Sequence, residues 1–198
     1  MTESDSLTGV LFVLVGPAGV GKNTIMKRVM DKLPVLRQLP TVTTRNIRPG
    51  EQEGREHFFR SLEEFQRIKD SNGLIEDQEV YPGMFYGTPR QQLSEALQHG
   101  EKLIADIEVV GAERIKHMFP DNTVLIFVAP PTLADLETRL RTRGNMSEEE
   151  IQNRLKRATR EMAFADQCGY RITNDNLEQS VEAVANIINQ ELLKQEHA

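Results

Sequence analysis

The sequence predicts an α/β fold in which a parallel β-sheet is flanked by helices, and three observations predict it. Apolar runs of strand length alternate along the chain with segments of helical periodicity. The runs are continuously apolar, as strands covered on both faces must be. The first of them, Val10 to Val15, feeds a glycine-rich turn that opens a helical pattern, the strand–loop–helix order of a phosphate-binding loop (P-loop).

Taken in order, the strand Val10 to Val15 leads through Gly16-Pro17-Ala18-Gly19-Val20-Gly21-Lys22-Asn23-Thr24 into the helical run Ile25 to Met30. From about Pro40 to Gly87 the texture changes to charge, glycine and aromatics with the alternation of short antiparallel strands, which reads as an inserted subdomain that carries function. Further strands are expected at Lys102 to Ile107, Thr123 to Val128 and, shorter, Tyr170 to Thr173. Helix starts are marked by Ser61-Leu62-Glu63-Glu64, by Pro89 after Thr88, by Thr132 after Pro130-Pro131 and by Ser147-Glu148-Glu149-Glu150. The last helix carries Val181, Val184, Ile188 and Leu192 at helical spacing, a core-facing stripe.

The loop dictates its own chemistry. Glycines at 16, 19 and 21 let backbone N–H groups converge on one point, where the positive end of the following helix also lies, so the ligand expected there is a polyphosphate. Lys22 adds a full positive charge for the terminal phosphates. Asn23 stands where such loops usually have a Ser or Thr whose hydroxyl touches magnesium. Its amide oxygen, or a water held by Thr24, is a hard oxygen ligand of the kind magnesium accepts.

At 198 residues and 38% apolar, the chain can bury one sizeable core, and its net charge of −6 argues against a nucleic-acid surface as its main business. Cys168 is the only cysteine, which suits a reducing cytosol and reads as a small buried apolar residue. The acidic start Met1-Thr2-Glu3-Ser4-Asp5 is unlike a secretory signal, and the run Val10 to Val15 is too short to span a membrane. A soluble cytoplasmic protein is expected.

The most specific stretch of the inserted region is Thr41-Val42-Thr43-Thr44-Arg45-Asn46-Ile47-Arg48-Pro49-Gly50-Glu51-Gln52-Glu53-Gly54. Two arginines three apart, hemmed by threonines, can form a rigid fork for one phosphate; a solvated loop with surface ion pairs is the competing reading. Asp106 and Glu108, two apart at the end of a strand, share one face where such sheets place ligands. Arg139 and Arg143, four apart, share a helix face.

With these blocks in place the chain resembles guanylate kinases from about Val10 to Asn189. The resemblance rests on the P-loop, on Thr43-Thr44-Arg45 with Arg48, Gly50-Glu51 and Gly54, and on Glu76, Tyr86-Gly87, Asp106, Gly111, Pro130-Pro131, Arg139, Arg143, Arg154 and Asn174-Asp175. It implies a P-loop NTPase fold with a core (about 9–38, 90–135 and 160–198), a small mixed α+β GMP-binding subdomain (about 39–89) and a helical lid (about 136–159). It implies magnesium-dependent phosphoryl transfer from ATP to GMP or dGMP in purine metabolism, without nucleic-acid or membrane partners.

Residue by residue, the resemblance implies that the P-loop binds ATP and that Arg45 and Arg48 hold the GMP phosphate with a hydrogen bond from Tyr86. Glu76, Thr41 and Thr88 then read guanine: a carboxylate accepts from N1–H and the 2-amino group, and a hydroxyl donates to O6. Thr88 is equally suited to cap the next helix. Asp106 lies near the metal with Asn23 and Thr24, and Glu108 lies towards GMP. Lys22, Arg45, Arg139, Arg143 and Arg154 neutralise charge during transfer. Arg141 and Arg157 read as surface residues paired with neighbouring acids. His57 replaces a tyrosine usual at the GMP phosphate; a protonated imidazole there predicts that GMP affinity weakens as pH rises through about 6.5.

Two other classes compete. A sister small-molecule kinase would explain the P-loop but not the Thr43-Thr44-Arg45 block or Glu76, and a non-catalytic scaffold module would need neither Lys22 nor the lid arginines.

Overall fold

The computed structural model describes residues 7–142, 144 and 146–196. Nine strands and seven α-helices run β1 (Val10–Val15), α1 (Lys22–Lys32), β2 (Leu36–Gln38), β3 (Thr41–Thr43), β4 (His57–Phe59), α2 (Leu62–Asp70), β5 (Leu74–Tyr81), β6 (Met84–Pro89), α3 (Arg90–Gln98), β7 (Lys102–Asp106), α4 (Val109–Met118), β8 (Thr123–Ala129), α5 (Leu133–Thr142), α6 (Glu148–Met162), β9 (Tyr170–Thr173) and α7 (Leu177–Glu196) among the described residues. A five-stranded sheet has the order β2-β7-β1-β8-β9, and a four-stranded sheet the order β4-β3-β6-β5. In the larger sheet β2 pairs with β7 and β8 with β9, both parallel. Every residue of β1 is buried, which is why its sequence shows no alternation.

The chain divides into two compact units. Of the described residues, 7–11, 36–105 and 110–123 form the first unit; 12–35, 106–109 and 124–196 form the second. In the first, the small sheet packs a separate cluster of Val42, Phe65 and Leu74 with Phe58, Ile68 and Phe85. Phe65 reaches it from α2, whose start is fixed by a capping box: the Ser61 hydroxyl accepts from the Glu64 N–H while the Glu64 carboxylate accepts from the Ser61 N–H. The strands β3–β6 and β5–β6 are antiparallel, but β3 and β4 run parallel. The antiparallel expectation fails there because a long loop, 44–56, replaces the tight turn that would reverse the chain.

In the second unit α1 packs against α7, whose Val181, Val184 and Ile188 are fully buried. Ser147 and Glu150 cap α6 reciprocally. Thr132 accepts from the Asp135 N–H at the start of α5, where the sequence places a helix. The edge strand β2 escapes the sequence reading because Leu36-Arg37-Gln38 has one buried residue and no run. No described helix is long and apolar enough to cross a membrane.

Candidate active site

The functional side chains fall into two groups, one in each unit. In the second unit β1 ends at the loop, where Gly16, Gly19 and Gly21 all adopt positive φ. Gly21 is the residue before α1, and no side chain caps that helix, so its first N–H groups are available to an anion. A Cβ at Gly21 would lie 2.7 Å from Asn174 Nδ2. Glycine there answers both to the left-handed backbone and to this approach.

Lys22 is buried, its Nζ donating to the Gly16 carbonyl at 2.6 Å and standing 3.5 Å from Asp106 Oδ1. This places a cation and a hard oxygen ligand beside the loop. Asn23 and Thr24 are exposed on the first turn of α1. Thr24 lines a cavity of about 430 Å³ with Gly19, Arg139, Asn174 and Asp175. Arg139 Nη2 donates to the Asn174 carbonyl at 2.7 Å and is thus held at the loop. Arg154 is half-buried on α6, its pKa lowered by burial and by the like charge of Arg157. Arg143 lies outside the described residues.

Sequence reasoning left Asn174 without a role, yet it braces the loop. Its Nδ2 donates to the Val20 carbonyl at 2.7 Å, its Oδ1 accepts from the Ser180 hydroxyl at 3.0 Å and its N–H donates to the Ala129 carbonyl at 2.8 Å. The signal was its place after the last strand, where chain ends converge on ligands in such sheets.

Arg157 requires a correction. Arg141 does pair with Glu137 and Glu148 at the surface. Arg157 instead bridges two acids, its Nη2 donating to Glu108 Oε2 and its Nε to Glu161 Oε1, both at 2.6 Å. Glu161 is buried, and burial foremost, then the charge of Glu108, pushes its carboxyl above the usual range.

In the first unit Arg45 is buried, which removes the reading of a solvated loop for it. Glu51 fills its fork, with Nη1 to Oε2 at 2.8 Å and Nη2 to Oε1 at 2.9 Å. Nε donates to the Tyr86 hydroxyl at 3.0 Å and Nη1 also to the Asn46 carbonyl at 2.7 Å. One Nη2 hydrogen remains, so the symmetric two-arginine fork expected from the spacing is not what Arg45 presents. Arg48 is exposed. Glu51, quoted in the sequence motif without a role, is the residue that orients Arg45.

Glu76 is buried, and its Oε1 accepts from the Thr88 hydroxyl at 2.8 Å. Burial pushes its carboxyl up, against the hydrogen bonds from Thr88. Thr88 does not cap α3, which starts after Pro89 with no side-chain cap; its hydroxyl proton goes to Glu76. Thr88 therefore orients the carboxylate. Glu76 also borders a cavity of about 200 Å³ with Val110, Gly111 and Arg114. Thr41, on β3 beside β6, has its hydroxyl 2.7 Å from His57 Nδ1.

His57 packs edge-on against Phe59 and Tyr86. Burial, then the Arg45 charge, pushes its pKa down to about 4, so it is neutral throughout the range around 6.5 where the sequence predicted its titration. The expected loss of a positive charge on raising pH through 6.5 does not arise from this residue.

Comparison with known proteins closes the assignment of family. The guanylate kinase family model matches residues 9–191. A guanylate kinase of Synechococcus sp. (strain JA-3-3Ab) is 43% identical over 174 residues, 88% of this chain and 79% of the relative. The chain belongs to the guanylate kinase family. Among other members, the guanylate kinase of Oceanobacillus iheyensis is 39% identical over 188 residues, 95% of this chain and 90% of the relative. The crystal structure of guanylate kinase from Anaplasma phagocytophilum superposes with a TM-score of 0.74 at 30% identity, covering 93% of this chain and 87% of that one. As a member of the guanylate kinase family the chain is an enzyme, a nucleoside monophosphate kinase with a P-loop fold.

Proposed function

We propose that the protein transfers the terminal phosphoryl group of ATP to GMP or dGMP in the cytoplasm, giving ADP and GDP or dGDP, with magnesium held mainly by the nucleotide phosphates. The observation that carries the acceptor is the buried Glu76 carboxylate, oriented by Thr88 at 2.8 Å. Guanine offers such a carboxylate N1–H and the 2-amino group, whereas adenine has no N1–H and carries its amino group at position 6. A site built this way leaves a buried carboxylate unpaired with the wrong base, which supports discrimination of about 10⁴-fold.

On this reading residues 39–89 bind GMP and 136–159 form the lid. Tyr86 accepts from Arg45 and would turn its hydroxyl proton from the weak Met84 Sδ acceptor to the phosphate, where the remaining Nη2 hydrogen of Arg45 joins the exposed Arg48. Lys22 and the loop N–H groups take the ATP phosphates, and Arg139 and Arg154 neutralise charge on the transferring group. Magnesium fits the donor set. Among the described residues no three acidic, His or Cys side chains gather, and an ion held by phosphates needs only Asp106 with water and a loop oxygen from Asn23 or Thr24. When bound, the ion would offset the negative charge that develops on the phosphates.

The test is ADP formation with ATP and magnesium in the presence of GMP, dGMP, AMP, UMP or CMP, beside Lys22→Ala. Turnover with GMP and dGMP alone, lost in the variant, is expected; turnover with a different acceptor overturns the reading.

A further inference from the structure

Glu108, Arg157 and Glu161 form a chain of charged groups within the second unit. Glu108 follows β7, two residues beyond Asp106, while Arg157 and Glu161 lie one turn apart on α6, the helix that also bears Arg154. The two acids take different edges of one guanidinium, Glu161 at Nε and Glu108 at Nη2, each at 2.6 Å. A lysine, with a single point of charge, could not hold both in this geometry. Glu161 is 7% exposed and Arg157 about 40%, so the acid in the protein interior is the fixed end of the chain and the arginine the arm. Glu161 Oε2 is buried and has no hydrogen-bond partner among the described residues, so the carboxyl spends its one bond on Arg157.

We propose that Arg157 is a positioning residue, anchored by Glu161, that sets the place of the Glu108 carboxylate and couples it to α6. The role rests on the reading of Glu108 as a GMP-side carboxylate. Without the arm, Glu108 relaxes into solvent and must be reordered each time the acceptor binds, an effect that falls on the Michaelis constant for GMP and not on that for ATP. Glu161→Gln keeps an oxygen acceptor for Arg157 Nε and therefore keeps the arm in place. Glu161→Ala removes it.

Steady-state kinetics with GMP and ATP varied separately, together with melting temperatures, test this. Arg157→Ala is expected to raise KM for GMP by about five- to tenfold, with KM for ATP within about twofold, on the usual worth of a charged hydrogen bond. That effect disappears in a Glu108→Gln background, Glu161→Ala resembles Arg157→Ala, and Glu161→Gln resembles the wild type. If Arg157→Ala fails to fold, Arg157→Gln, which keeps most of the stem, carries the same comparison. A lowered melting temperature with KM for GMP unchanged, or an equal rise in the Glu108→Gln background, overturns the positioning role while leaving the proposed reaction standing. Absence of GMP turnover by the wild type overturns both.

Discussion

Arg45 illustrates how one residue's partners decide its chemistry. A buried guanidinium must have its donors satisfied, and four of its five N–H groups are committed to Glu51, Tyr86 and Asn46. Glu51 in turn has its pKa lowered to about 2, chiefly by the Arg45 hydrogen bond. The sign follows from linkage: a carboxylate whose folded pKa lies below its unfolded value of 4.5 contributes stability above pH 4.5 and loses it as pH falls towards 2. Glu51→Gln leaves the buried cation with a neutral partner and is expected to cost about 1–3 kcal/mol at pH 7. The gap between wild type and variant should then narrow below pH 4.5, read from urea midpoints between pH 7 and pH 2.5. A gap that stays constant over that range would show that the carboxylate charge contributes nothing.

At the scale of elements, α4 and β5 meet at a glycine. A Cβ on Gly111 would lie 2.8 Å from Glu76 Cδ and Oε2 and 2.9 Å from Cγ. Alanine is intrinsically better than glycine within a helix by about 1 kcal/mol, so Gly111→Ala sets a backbone gain against displacement of Glu76. The carboxylate, held only through Thr88, is the part that yields. Gly111→Ala is expected to keep the melting temperature within a few degrees while raising KM for GMP at least tenfold, the scale of one misplaced charged hydrogen bond. Unchanged KM would mean that Glu76 moves without consequence for the acceptor. Elements of this kind also mark where sequence reading succeeds. The strands β1, β7 and β8 were legible because they are apolar runs of sufficient length, β9 because Tyr170 and Ile172 alternate with Arg171 and Thr173, and the caps of α2 and α6 because their Ser and Glu stand three apart. The edge strand β2 and the parallel β3–β4 pair were not, since three residues carry no period and strand direction depends on the loop. The site shows the same division. Lys22, Arg45 and Glu76 stand out by type and motif, whereas Glu51 and Thr88, which orient Arg45 and Glu76, and Asn174, which braces the P-loop, are defined only by tertiary approach. Arg157 looked like a surface charge because Glu108 comes from a separate element and the burial of Glu161, one turn along α6, has no sequence signal.

Across the whole molecule, the proposed donor and acceptor groups belong to different units, save Glu108, an acceptor-side carboxylate of the second unit. Lys22, Asp106, Arg139 and the P-loop lie in the second, and Arg45, Glu76, Thr88 and Tyr86 in the first. Each unit keeps its own anchor for its polar groups: the buried Asn174 and Ser180 hold the loop, while the half-buried Glu51 and Tyr86 hold Arg45. Removing a key residue from one group should therefore leave ligand binding by the other intact. Ligand present at about 100 times its Kd stabilises a fold by about 2.7 kcal/mol, which for a chain of this size raises the melting temperature by about 5–10 °C. Wild type should show such a shift with GMP alone and with magnesium-ATP alone. Lys22→Ala is expected to keep the GMP shift and lose most of the ATP shift, and Glu76→Ala to do the reverse, with turnover abolished or severely reduced in both. Should Lys22→Ala lose both shifts, the two groups are not separable and acceptor binding depends on an intact P-loop. Retention of the GMP shift would instead place the dependence of one substrate on the other in the transfer step, where alignment and charge neutralisation carry the rate.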